Sequence, residues 1–368
     1  MNYFLPFLAT FLLSAILTGG LWRSGLGMGL LTQPRQRDIH KEPISRLGGL
    51  GIFGSFLIVS LIVFLVIKPD LRFSTDLIFG LDSRLWAIWF GGLAITVIMF
   101  LDDLYDLSAP EKLLAQISAA ILMIGCGIGI DHITNPFGGT INLNSIYVPL
   151  FSYGGVVYHF SLWSDLLTLV WIVGMMNVMN FVDGVDGLAS GQAAIAALTI
   201  FLLSISMAVN QPATAMIAII VCGASLGFLV WNFPPAKIFM GDSGSMFLGF
   251  ILGVLALISG GKLATLLLVL GFPIVDGLIV TFSRLRRHQN PLTTPDKTHL
   301  HHRFLAAGFS IRQAIMALYV ISALFGLIAL SSSTRGKVVG FFLLIILILA
   351  IMAGLKAVER NRLVKNEK

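Results

Sequence analysis

The sequence predicts an all-α polytopic membrane protein, and three observations carry that reading. Of the 368 residues, 57% are hydrophobic and 11% are charged, whereas charged residues alone make up about a quarter of an ordinary soluble domain. The mean hydropathy is +0.91. The apolar residues also fall in runs of about 16 to 22, the length that crosses a hydrocarbon core. These runs stand at 3–21, 47–67, 86–101, 113–130, 163–182, 192–208, 214–231, 245–260, 263–283, 314–331 and 338–355. They predict about eleven transmembrane helices in a single integral domain covering 1–368.

The net charge of +6 does not require nucleic acid as a partner. In a membrane chain a basic balance reports cytoplasmic loops and affinity for anionic lipid or anionic substrate. The two cysteines, Cys126 and Cys222, lie inside apolar runs and read as small core residues without a disulfide. The first run has no basic segment before it and no small-residue cleavage site after it, so it is expected to be a span with its amino end outside. From that start, eighteen of the 24 Lys and Arg residues fall on the inner loops or the tail, which by the positive-inside rule puts that side in the cytoplasm. The outer segment 131–162 is rich in Gly, Asn, Tyr and Pro. Its alternation over Thr140-Ile-Asn-Leu-Asn144 predicts a short hairpin on the outer face.

The polar residues are clustered. Asn177, Asn180, Asp183 and Asp186 close the run 163–182, and the first three recur at steps of three, which places them on one helical face. An ionisable group at membrane depth is costly unless it meets a wet cavity, a partner or a metal. Capping and Asp-Gly turn chemistry account for one aspartate but not for the set.

Other loops on the same side carry groups that a plain connector does not need. Asp102-Asp103 follows the third span, with Lys112 further on. Paired carboxylates suit a hard cation such as Mg²⁺, which bridges protein carboxylate to substrate phosphate; the alternative is a pair of solvated helix caps. Between the seventh and eighth spans, Asn232, Pro234 and Pro235 stop one helix, and Phe239, Gly241, Asp242 and Gly244 lead into the next. Backbone N–H groups there can receive an anion, and Asp242 can hold a metal or serve as an N-cap. The basic loop 284–313 contains His299-Leu-His301-His302-Arg303, a poor spacing for tetrahedral zinc but a good one for donors aimed at phosphate oxygens. Asp276, in the ninth span after Gly271-Phe-Pro273, is a lining candidate. Arg46, beside Gly48 and Gly49, is a candidate diphosphate clamp.

In this order along nearly the whole chain, the motifs resemble the polyprenyl-phosphate N-acetylhexosamine-1-phosphate transferases, the WecA and TagO type more nearly than the MraY type. The resemblance rests on Asp102-Asp103 with Lys112, on Asn177 through Gly187, on Asn232 to Gly244, and on His-x-His-His-Arg. It implies transfer of an N-acetylhexosamine 1-phosphate, GlcNAc first, from a UDP-sugar to undecaprenyl phosphate with release of UMP. That would be the first membrane step of a cell-envelope polysaccharide, in a cytoplasm-facing cleft of the plasma membrane, with Mg²⁺ as cofactor and Mn²⁺ as its substitute. By matching positions, Asp242 and Asp103 would ligate the metal. Asp102 and Asp103 would stand at the reacting phosphates, with Asp102 as base. Asp183, Asp186, Asn232 and Phe239 would line the nucleotide pocket, and His299, His301, His302 and Arg303 would bind diphosphate or sugar. Arg46, Lys112, Asn177, Asn180 and Asp276 complete the substrate-binding set.

His-Leu-His-His-Arg departs from the three consecutive histidines of the MraY type, which argues against a muramoyl-pentapeptide donor and leaves that reaction as the alternative. A secondary transporter would place polar residues on both sides of the midplane and show repeats; these clusters are one-sided. A CDP-alcohol phosphatidyltransferase expects Ala-Arg soon after its first Asp-Gly, which Asp183-Gly-Val-Asp186-Gly-Leu188 lacks. The expected partners are the UDP-sugar, the lipid phosphate and the bilayer. A homodimer is left open.

Overall fold

Every predicted run is occupied by helix. The computed structural model describes residues 2–28, 43–68, 70–73, 77–78, 81–153, 156–259, 263–287 and 300–366. In order, the helices are α1 (Phe4–Met28), α2 (Gly48–Ile62), α3 (Ser83–Tyr105), α4 (Ala109–Gly125), α5 (Leu162–Val182), α6 (Leu188–Ile205) and α7 (Pro212–Asn232). They continue with α8 (Gly241–Ile258), α9 (Leu263–Val269), α10 (Gly271–Arg286), α11 (Leu300–Ala306), α12 (Ile311–Ser331) and α13 (Thr334–Asn366). A wider π-helical turn, Val63–Ile67, prolongs α2. Nine of the described helices are long and apolar enough to cross a membrane. This is a multi-pass membrane protein.

The two remaining runs differ from straight, full-length spans. Helix α4 has 17 residues, the short end of what can span. The run predicted at 263–283 is a pair, α9 and α10, bent by 78°. Pro273, in the first turn of α10, has no N–H to give the preceding helix and excludes its backbone, so the ladder breaks there.

The segment 131–162 holds two antiparallel hairpins where one was expected. Strand β3 (His132–Thr134) pairs with β4 (Thr140–Asn142), and β5 (Tyr147–Tyr153) pairs with β6 (Val156–Ser161). Gly138 and Gly139, both at positive φ, let the chain reverse after Asn135-Pro136, so the alternating 140–142 stretch folds back on 132–134.

Helix α8 is the axis of the bundle. Ninety-four per cent of its span window is buried, against 28% for α1 and α13, and α2, α3 and α5 pack around it. Membrane helices gain little from the hydrophobic effect between themselves and associate through close packing at small residues. Gly249 of α8 fits this role: a methyl there would stand 2.5 Å from the carbonyl oxygen of Met175 on α5. A methyl on Gly49 of α2 would likewise overlap the backbone nitrogen of Gly244.

Candidate active site

Helices α3, α5 and α7 end, and α4, α6 and α8 begin, on one face of the bundle, where hydrogen bonds tie the ends together. Lys112, in the first turn of α4, reaches across α3 and α8. Its Nζ lies 2.6 Å from Asp102 Oδ2 and 3.1 Å from Asp242 Oδ2. Asp102 is buried, and its other oxygen accepts from the Leu107 amide at 2.8 Å. The second Asp242 oxygen accepts from Asn180 Nδ2 at 3.0 Å, and Asn180 also donates to Ser245 Oγ at 3.1 Å. One ammonium, two carboxylates and a carboxamide from four helices thus form one network.

Asp103 points the other way. Its two oxygens accept from the backbone amides of Asp242 at 2.9 Å and Ser243 at 3.1 Å. These are orphan donors at the start of α8, and a carboxylate there complements the positive end of the helix. Asp103, expected as a metal ligand, thus also clamps the Asp242 backbone. Asn177, one turn before Asn180, donates to Gln116 Oε1 on α4 and to Val173 O, both at 2.8 Å.

The remaining polar residues shape the walls. Asp186 is buried and accepts from the Ala236 amide at 2.9 Å. Asn232 is buried and bridges two loops, accepting from Gly187 N at 2.8 Å and donating to Ile238 O at 3.0 Å. Both groups expected to line a nucleotide pocket therefore also fasten the α5–α6 turn to the α7–α8 connection. Tyr319 of α12 donates from its hydroxyl to Gly187 O. Phe239 is zipped by its backbone to the segment before α2, donating to Ser45 O at 2.8 Å and accepting from Gly48 N at 3.0 Å. This brings the half-buried Arg46 to the site. Asp183, in the turn after α5, is pushed well above the usual carboxylate range. Burial is the main cause, the charges of Asp242 and Asp103 follow, Arg46 opposes them, and Asp186 adds to them.

Asp276 is buried in α10 and accepts from the Leu300 amide at 2.9 Å, so it holds the start of α11. His301, His302 and Arg303 are on α11, the last two half-buried. His299 lies outside the described residues. Sequence reasoning singled out the aspartates and asparagines but missed Gln116, Ser245 and Tyr319. Gln116 carried a usable signal: it is the one carboxamide in the run 113–130, and such a group needs a partner inside a bilayer.

Among the described residues no three His, Cys, Asp or Glu side chains converge as a ready metal shell. The donor set nevertheless fits a hard cation that takes one or two protein carboxylates and completes its shell with phosphate and water, as Mg²⁺ does. Asp242 is a carboxylate at the mouth of this network, and an ammonium already stands where positive charge is needed.

Residues 85–260, which include nearly all of α3, the whole of α4 to α8 and all four residues of the network, match the model of glycosyl transferase family 4. The chain is also 33% identical over 351 residues to a probable undecaprenyl-phosphate N-acetylglucosaminyl 1-phosphate transferase of Bacillus subtilis, covering 93% of this chain and 88% of that protein. The chain belongs to the polyprenyl-phosphate N-acetylhexosamine-1-phosphate transferases. This transferase is also 30% identical to a decaprenyl-phosphate N-acetylglucosaminephosphotransferase of Mycolicibacterium smegmatis, over 82% of this chain and 75% of that one. A phospho-N-acetylmuramoyl-pentapeptide-transferase of Oceanobacillus iheyensis is 29% identical, over 88% and 94%. The transferase is therefore an enzyme that moves a sugar 1-phosphate onto a polyprenyl phosphate, and the network at the helix ends is its candidate centre.

Proposed function

We propose that the enzyme transfers N-acetylglucosamine 1-phosphate from UDP-N-acetylglucosamine to undecaprenyl phosphate at the cytoplasmic face of the plasma membrane, with Mg²⁺ as cofactor. The observation that supports this most is the joining of Asp102, Lys112, Asn180 and Asp242, from four separate helices, into one network at one end of the bundle. Two anionic phosphates must approach each other, so the site needs positive charge and fixed donors, and phosphoryl transfer is mostly positioning and electrostatic stabilisation. An oxygen of the lipid phosphate attacks the β-phosphorus of the nucleotide sugar in line. The bond from that phosphorus to the bridging oxygen breaks, and UMP leaves with the electron pair.

Asp242 is the residue we assign to hold Mg²⁺, which when bound offsets charge on the diphosphate. Asp103 fixes the start of α8 beneath Asp242. Asp102 stands at the reacting phosphates, and Lys112 and Arg46 balance their charge. Asp183, Asp186, Asn232 and Phe239 are assigned to the nucleotide, and His299, His301, His302 and Arg303 to binding diphosphate or sugar. The test is incubation of purified enzyme with undecaprenyl phosphate, Mg²⁺ and a panel of UDP-sugars that includes UDP-N-acetylmuramoyl-pentapeptide, followed by mass analysis of the lipid. The expected product is undecaprenyl-diphosphate-N-acetylglucosamine together with UMP. A muramoyl-pentapeptide lipid would transfer the assignment to the alternative donor, and no lipid diphosphate from any donor would refute it.

A further inference from the structure

We propose that Lys112 is the resting counter-ion of the Asp102–Asp242 pair, and that a divalent cation must displace its ammonium to bind there. This deepens the Mg²⁺ reading above and rests on it. The ammonium lies 2.6 Å from Asp102 Oδ2 and 3.1 Å from Asp242 Oδ2, so it stands against the Asp242 oxygen that a cation held by that residue would need. Asp102 is 3% exposed. A buried carboxylate without a countercharge is strongly unfavourable, because its hydration has been removed and nothing replaces it. Lys112 supplies that countercharge from a flexible stem on another helix, and its side chain is 28% exposed, so it can swing out without unfolding α4.

Three features separate this from a fixed structural ion pair. Lysine carries a compact charge on four rotatable carbons and shifts partner more readily than the planar guanidinium of arginine. The other Asp242 oxygen is already held by Asn180, and the Asp242 backbone is held by Asp103. The carboxylate is therefore held by donors independent of Lys112 and keeps its place when the ammonium leaves. The released ammonium is then beside the phosphates that arrive with the cation, and the site keeps a near-constant charge between the resting and loaded states.

The competition predicts an inverse relation between cation affinity and turnover at one residue. Mn²⁺, visible by electron paramagnetic resonance, is titrated into the purified full-length enzyme without any nucleotide or lipid. Lys112→Met, which keeps the stem and removes the charge, should bind Mn²⁺ at least roughly tenfold more tightly than the unaltered enzyme, while its turnover falls. Lys112→Arg, which keeps the charge, should stay within about threefold of the unaltered affinity. Asp242→Asn placed on Lys112→Met should abolish the gain, locating the cation at this pair. Thermal unfolding of each variant checks that it is folded.

A merely structural role for Lys112 would weaken cation binding in Lys112→Met, and folded Lys112→Met with unaltered or weaker affinity would overturn the displacement idea while leaving the Mg²⁺ reading intact. Failure of both the unaltered enzyme and Lys112→Met to bind Mn²⁺ would overturn both. Because no donor sugar is present, the result does not depend on which UDP-sugar the enzyme uses.

Discussion

At the scale of single residues, the site divides its acids and carboxamides by partner. Asp103 holds backbone, Asp186 and Asn232 hold loops, and Asp102 and Asp242 share an ammonium. Asp102→Asn is the sharper test of who meets the phosphates, because asparagine keeps the shape and can still accept from the Leu107 amide. Turnover should fall by at least about a hundredfold, the scale of a removed general base, with nucleotide-sugar binding by calorimetry nearly unchanged. Near-normal turnover would remove Asp102 from the reaction.

Asp183 gives a prediction in pH. Its carboxyl sits above the ordinary range because of burial first and the charges of Asp242 and Asp103 next, so the folded state holds a proton that the unfolded chain has already lost. Stability then falls as pH rises from the ordinary carboxylate value through the raised one, since the native state binds more protons across that window. In cation-free buffer Asp183→Asn should flatten this part of the unfolding profile. An unchanged slope would show that the proton is elsewhere.

At the scale of elements, the runs were readable because membrane helices are marked by length and apolarity alone. The bend between α9 and α10 was signalled by Pro273, but its angle depends on what the two halves pack against. The second outer hairpin was hidden although its strands are the longer ones, because Tyr147–Tyr153 and Val156–Ser161 are apolar or aromatic at most positions and show no clean period-two alternation. In the site, the aspartates and asparagines were conspicuous as charge and amide among apolar neighbours. Their partners were not, since the hydrogen bond from Asn177 to Gln116 links residues 61 apart in sequence and exists only once α4 lies beside α5.

Asp276 illustrates the same limit. Its position in a Pro-interrupted span marked it as unusual, yet its contact with Leu300 makes it the anchor of the short helix carrying His302 and Arg303. Asp276→Ala should release that helix and raise the KM for the nucleotide sugar more than it lowers kcat, as Arg303→Ala should. Asp276→Asn, whose side-chain oxygen still accepts the Leu300 N–H, should recover most of the loss. An alanine variant with unaltered KM would mean the helix keeps its place without the anchor.

At the scale of the whole molecule, hydrogen bonds establish that the polar helix ends share a face, and charge argues which face it is. Those loops and the tail carry eighteen of the 24 Lys and Arg residues, a bias that retains such loops in the cytoplasm. The proposed reaction asks for the same side, because a nucleotide-sugar donor would be soluble and anionic and could not cross the bilayer to reach an outward cleft. Cysteines placed at three exposed positions can decide it in a background lacking Cys126 and Cys222. Met207 lies between α6 and α7 and Phe137 at the tip of the β3–β4 hairpin, both far from the site, while Lys356 lies towards the carboxyl end of α13. On intact cells a membrane-impermeant maleimide should label Met207→Cys and Phe137→Cys at once and Lys356→Cys only after permeabilisation. The reverse pattern would turn the cleft outward, remove the nucleotide sugar from its reach, and require a donor available on the other side of the membrane.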